Sequence, residues 1–203
     1  MTAGPGAREP GTGRGETGRN PAPADSGAPE VLAAGSYLRL VRRCGWEYAE
    51  RANASAAVIV VAVTPEDRIL FVEQQRIPIR CATIEMPAGL VGDTSDSDTI
   101  EAAAARELEE ETGWRAGRIE FLMIGPSSAG LSTEMIAFVR ARDLVRVGPG
   151  GGDPTEDIIV HEVPRQEAAR WLHERASAGY SIDPKLYAGL WFVDHEPDGR
   201  RVA

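Results

Sequence analysis

The chain has 203 residues, 42% of them hydrophobic, with 31 acidic against 22 basic side chains and a net charge of −9. That length and apolar content support one sizeable core, and the acidic balance excludes a basic nucleic-acid surface or a polybasic membrane anchor. No membrane-length apolar run or signal-peptide pattern occurs, and Cys44 and Cys81 lack metal-ligand spacing, so a reduced, cytoplasmic protein with buried or semi-buried cysteines is expected.

Residues 1–30 are crowded with Gly, Pro, Ala and Ser among charges of both signs, a composition that supports no packed core, and are predicted to form a disordered tail. The folded domain is expected over residues 31–203. From Tyr37 the pattern turns to short strand-like pieces, 37–41 and 46–51, followed by an apolar strand at 56–63. A Thr-Pro-Glu-Asp turn at 64–67 leads into a strand at 68–74. Trp46 has a plain reading as a packing aromatic of its strand.

Residues 98–114 read DTIEAAAARELEEETGW. At about 100° per residue, Glu107 and Glu111 fall on the side of Ile100, Ala103 and Ala104, with Glu110 on the flank. Glu101, Ala105, Glu109 and Thr112 are left for solvent. Carboxylates three and four residues apart repel, and seating them beside apolar residues also costs hydration. Arg106 can offset one of them. The remainder calls for cations of higher charge, and hard ions such as Mg2+ or Mn2+ take carboxylate oxygens together with substrate phosphates. Asp98, with Glu101 three positions on, has the pattern of an N-cap and capping box, and Gly113 that of a left-handed C-cap.

Beyond this helix, strands are expected at 118–125, 135–142 and 158–163, and amphipathic helices at 165–178 and 184–192. The glycine-rich segment 148–154 lacks the spacing of a phosphate-cradling loop and is expected to be a flexible lid. His161, His173 and His195 are too scattered for a histidine metal site and are expected at the surface or at strand ends. Alternation of strands and helices predicts an α/β fold, an α/β/α sandwich with a mixed β-sheet.

Arg106-Glu107-Leu108-Glu109-Glu110-Glu111-Thr112-Gly113-Trp114 resembles the second half of the Nudix hydrolase signature at every specified position. The first half departs from it, since the loop between Pro87-Ala88-Gly89 and Asp98 carries three extra residues. Segments 71–76, 85–91, 128–134 and 156–163 are similar to the branch that hydrolyses ADP-ribose and related ADP-sugars, although Ala129 stands where that branch has proline. The resemblance implies the Nudix-type sandwich with an N-terminal strand extension, over 31–55, through which such enzymes form homodimers. It implies metal-dependent cleavage of a pyrophosphate bond, with Mg2+ or Mn2+ held by Glu107, Glu110, Glu111 and the backbone carbonyl of Ala88. It further implies a general base from the late acidic loop, Glu156 ahead of Asp153, and substrate contacts from Arg76, Glu85, Glu134 and Trp46. Glu110 is a ligand or a positioning group. Arg76 either grips the substrate or pairs with Glu85, and Glu134 either reaches the ribose or is a solvated loop acid. Other nucleotide sugars such as GDP-mannose, or a non-catalytic nucleotide sensor, are the alternative readings; neither nucleic acid nor membrane is an expected partner.

Overall fold

The computed structural model describes residues 27–93, 98–152 and 156–202. It opens with an antiparallel three-stranded sheet of β1 (Glu30–Ala34), β2 (Leu38–Arg43) and β3 (Trp46–Arg51). Two strands were expected here; β1 is the third, and it starts at Glu30, where the tail was expected to end. Most of that tail, residues 1–26, lies outside the described residues. The β2–β3 turn is Cys44-Gly45, both at positive φ (51° and 80°), the backbone of a tight two-residue hairpin. That turn places Cys44 at the surface, contrary to its expected burial.

Among the described residues ten further strands and three α-helices follow: β4 (Ala56–Ala62), β5 (Arg68–Arg76), β6 (Cys81–Glu85), β7 (Ala88–Val91), α1 (Ile100–Thr112), β8 (Trp114–Arg115), β9 (Arg118–Pro126), β10 (Met135–Arg142), β11 (Val145–Arg146), β12 (Ile159–Pro164), α2 (Ala168–Ser177), β13 (Ser181–Ile182) and α3 (Lys185–Asp194). A 3-10 turn, Arg165–Glu167, occupies the first residues of the expected 165–178 helix. The expected mixed sheet is realised as two. One is ordered β7-β4-β10-β9, with β4 and β10 parallel; the other is β12-β5-β6-β13, with β6 and β13 parallel.

Period-2 alternation on the central strands divides the core into two layers. Val58, Val60 and Ala62 of β4 join Ala137 and Val139 of β10 and Leu70 of β5 in packing on Ala103, Ala104 and Leu108 of α1. Their neighbours Ile59, Val61, Ile136, Phe138 and Phe71 face the other way, onto Leu172 of α2 and Leu186 and Phe192 of α3. Helices therefore cover both sides, giving the α/β/α sandwich.

The ends of α1 show what its sequence encodes. Its N-cap is Thr99, whose side chain accepts from the Ala102 N–H at 3.1 Å, one residue later than the Asp98 cap expected. Asp98 is drawn instead towards Arg106, 3.5 Å away. Gly113 closes the helix at φ 72° as expected. Thr112, expected on the solvent side, is fully buried, because its hydroxyl donates back to the Leu108 carbonyl and accepts from the Trp114 N–H at 3.2 Å. Segment 148–152 is fastened to this end of the helix and does not hang free as a lid: the N–H of Gly151 donates to the Glu111 carbonyl at 2.8 Å and that of Gly152 to Glu110 at 3.1 Å. It thereby satisfies carbonyls that a helix end leaves open.

Candidate active site

Glu111 is 2% exposed, and one carboxylate oxygen accepts the Ala88 N–H at 3.1 Å. The turn that supplies this donor is pinned to the core, since the Pro87 carbonyl accepts from the Val60 N–H at 2.8 Å. Glu107, one helical turn earlier, is half-buried against the same turn. A Cβ on Gly89 would lie 2.0 Å from the Glu107 carboxyl carbon, so the missing side chain of that glycine makes the cradle in which the carboxyl sits. Burial pushes the Glu107 carboxyl up to about 7, against the opposing effect of Arg106. Burial likewise pushes Glu111 up to about 8; the Ala88 N–H opposes the rise, and the charges of Glu107 and Glu156 add to it.

Glu110 stands apart, about half exposed, 3.6 Å from Arg106. Arg106 also reaches Glu107 at 2.7 Å and Asp93 at 3.4 Å, so it ties the extended loop to the helix. Among the described residues no three His, Cys, Asp or Glu side chains form a ready-made metal cage. Glu107 and Glu111 nevertheless fit part of a hard-cation site: both are carboxylates whose charge is disfavoured by burial, and Mg2+ typically takes one or two carboxylates and completes its shell with water and phosphate.

Glu107, Ala88 and Gly89 line a cavity of about 660 Å3 that also takes in Arg76, Glu85, Glu134 and Glu156. Arg76 and Glu85 form a bidentate pair at 2.6 Å for both bonds, which is the ion-pair alternative for Arg76, made at the cavity wall. Glu134 is no solvated acid; it accepts from Arg51 at 2.6 Å. Trp46 is 63% exposed on β3 and does not line the cavity of its own chain. Asp153 lies outside the described residues. Arg51, Asp183 and Lys185 also line the cavity. Lys185 is the single lysine of the chain and pairs with Asp183 at 2.6 Å. The sequence reading missed all three; the lone lysine among so many arginines was the available signal for one of them. Of the histidines, His161 departs from expectation: it sits within β12, half-buried, 2.8 Å from Glu73, with its ring against Trp171.

The helix-covered mixed-sheet sandwich gathers Glu107 of α1, Arg51 of β3, Arg76 of β5 and Lys185 of α3 around one cavity. Residues 54–184 match the NUDIX domain, and the chain belongs to that family. It is 34% identical over 120 residues to the methanol dehydrogenase activator of Bacillus methanolicus, covering 59% of this chain and 63% of the activator. It is 33% identical over 131 residues to the ADP-ribose pyrophosphatase of Bacillus subtilis (strain 168), covering 62% and 69%. A solved ADP compounds hydrolase has the same fold, with a TM-score of 0.62 at 19% identity over 82% of this chain and 89% of that one. Among the described residues no helix is long and apolar enough to cross a membrane.

Proposed function

We propose that this protein hydrolyses the pyrophosphate bond of ADP-ribose or a related ADP-sugar, releasing AMP and a sugar phosphate. The observation that carries the reading is the placement of Glu107 and Glu111 beside Ala88, with Glu156 near enough for its charge to act on Glu111. Glu107, Glu111 and the Ala88 carbonyl would hold Mg2+ or Mn2+, with Glu110 joining from the flank. When bound, such a cation acidifies water and neutralises phosphate oxygens. The chain supplies the rest. Arg51, Arg76 and Lys185 bring hydrogen-bond donors for a diphosphate to a cavity wall that is otherwise acidic, which a bound cation would have to offset. A carboxylate oxygen of Glu156 accepts the proton of the attacking water, since it faces the cavity without being one of the helix acids that would hold the cation. Glu85 keeps Arg76 in register, and Glu134 does the same for Arg51. We further read the protein as a cytoplasmic homodimer joined through the β1–β3 sheet, with Trp46 serving the partner's cavity.

The test is turnover of ADP-ribose with Mg2+ or Mn2+, beside a panel of other nucleotide sugars that includes GDP-mannose. Glu111→Gln should lose at least about a hundredfold in kcat while keeping its circular dichroism spectrum, since a Gln carbonyl still accepts the Ala88 N–H. Full activity in this variant would defeat the assignment. Tight ADP-ribose binding without turnover by the unmodified protein would point to the sensor reading.

A further inference from the structure

We propose that Gly152 is a positioning residue for Glu156, a device that couples the general base to the C-terminal end of the helix carrying Glu107 and Glu111. The inference rests on the reading of Glu156 given above. Three observations converge on it.

First, the backbone N–H groups of segment 147–152 donate to α1 and its cap. Besides the Gly151 and Gly152 bonds to Glu111 and Glu110, the N–H groups of Val147 and Gly148 both donate to the Gly113 carbonyl, at 2.8 and 3.1 Å. Secondly, this seating tolerates no side chain at its closest approach. A Cβ on Gly150 would lie 2.5 Å from the Glu111 carbonyl oxygen, and one on Gly113 would lie 2.2 Å from the Gly148 carbonyl oxygen. Helix end and loop thus meet backbone to backbone, so the loop cannot shift without moving the residues beside the acids.

Thirdly, Gly152 is where this contact passes to the base. It has φ 78°, and a Cβ there would lie 2.5 Å from Glu156 Oε2 and 2.9 Å from Glu156 Cβ. The space left by its missing side chain is the space in which the Glu156 carboxylate rests. The Gly151 carbonyl also accepts the Ile158 N–H at 3.4 Å. A methyl group at residue 152 would therefore displace the carboxylate, and displacement of a catalytic group by about 1 Å can cost about a hundredfold in rate.

The experiment is a double-mutant cycle on full-length protein with ADP-ribose and Mg2+, using Gly152→Ala, Glu156→Gln and the pair. Gly152→Ala should lower kcat by about ten- to a hundredfold with KM changed by less than about threefold. In the Glu156→Gln background the same change should add less than about twofold, because the group it displaces is already inactive. Gly199→Ala is the control: Gly199 has φ 86° with nothing within 4 Å of a Cβ, so it carries the backbone cost alone and should leave kcat unchanged. An equal loss from Gly152→Ala in both backgrounds overturns the positioning role and leaves the base assignment standing. A fully active Glu156→Gln instead removes the base assignment, and the proposal with it.

Discussion

Two carboxyls of α1 hold protons at a pH where free glutamate has lost them, and this makes stability depend on pH in a direction that can be checked. Glu107 is pushed up to about 7 and Glu111 to about 8, from an ordinary value of 4.5. Above pH 4.5 the unfolded chain has released both protons while the folded chain retains them. Folding then takes up protons, so stability present at low pH falls as pH rises, until about pH 8, where Glu111 ionises in the folded state as well. In EDTA the melting temperature should therefore drop steadily between pH 5 and 8. Glu111→Gln should flatten much of that slope, and Mg2+ added at pH 8 should restore stability by binding the ionised pair. A melting temperature independent of pH in EDTA would show that these carboxyls are hydrated and ordinary. At this scale the sequence was most informative: the 3.6-residue period alone put Glu107 and Glu111 on the apolar side of the helix. Arg51 and Lys185 were not legible, because Arg51 meets Glu134 across 83 residues of chain and Lys185 enters from the last helix. No local pattern records such convergence.

At the scale of elements, α3 is held by a buried arginine on a central strand. The Arg140 side chain is 4% exposed, and it reaches Glu196 at 2.9 Å and the carbonyls of Phe192 and His195 at 2.8 and 2.7 Å. Those carbonyls belong to the end of α3, whose helix N–H groups cannot serve them. Arg140→Ala would strand them together with Glu196 and should cost about 3–5 kcal/mol in urea unfolding; a loss under about 1 kcal/mol would show that water replaces the guanidinium. Because the start of α3 carries Lys185, the variant should also raise KM. The long central strands β4 and β10 could be read almost to the residue, β4 being an apolar run and β10 apolar from Met135 to Val139. The two-residue strands β8, β11 and β13 could not, since each exists through a partner elsewhere, as Ser181 and Ile182 pair with Thr83 and Ile84. The Thr99 cap was missed because Asp98 has a tertiary partner, Arg106, that outcompetes the local one.

For the whole molecule, the β1–β3 sheet is the feature that one chain does not explain. Leu38 and Leu40 are more than 40% exposed on one face of it, and Val31 and Trp46, paired with Val41 and Arg43, on the other; exposed apolar side chains on a sheet of this kind usually mark an interaction site. The sheet is joined to the domain where the Ala49 N–H donates to the Leu131 carbonyl at 2.8 Å and the Thr133 N–H to the Ala49 carbonyl at 3.1 Å. That junction also sets Arg51 against Glu134 at the cavity. A second copy covering the sheet would therefore press on the 131–134 segment at the cavity, linking assembly to turnover. Light scattering should give twice the chain mass of 21.8 kDa at micromolar concentration. Leu38→Glu with Leu40→Glu should return the protein to a single chain, since two buried carboxylates without partners oppose association by several kcal/mol. The same variant should raise KM for ADP-ribose while leaving the thermal unfolding of the two-sheet core in place. A native protein that runs at the mass of one chain, or a dissociated variant with unaltered kinetics, would uncouple the sheet from the site.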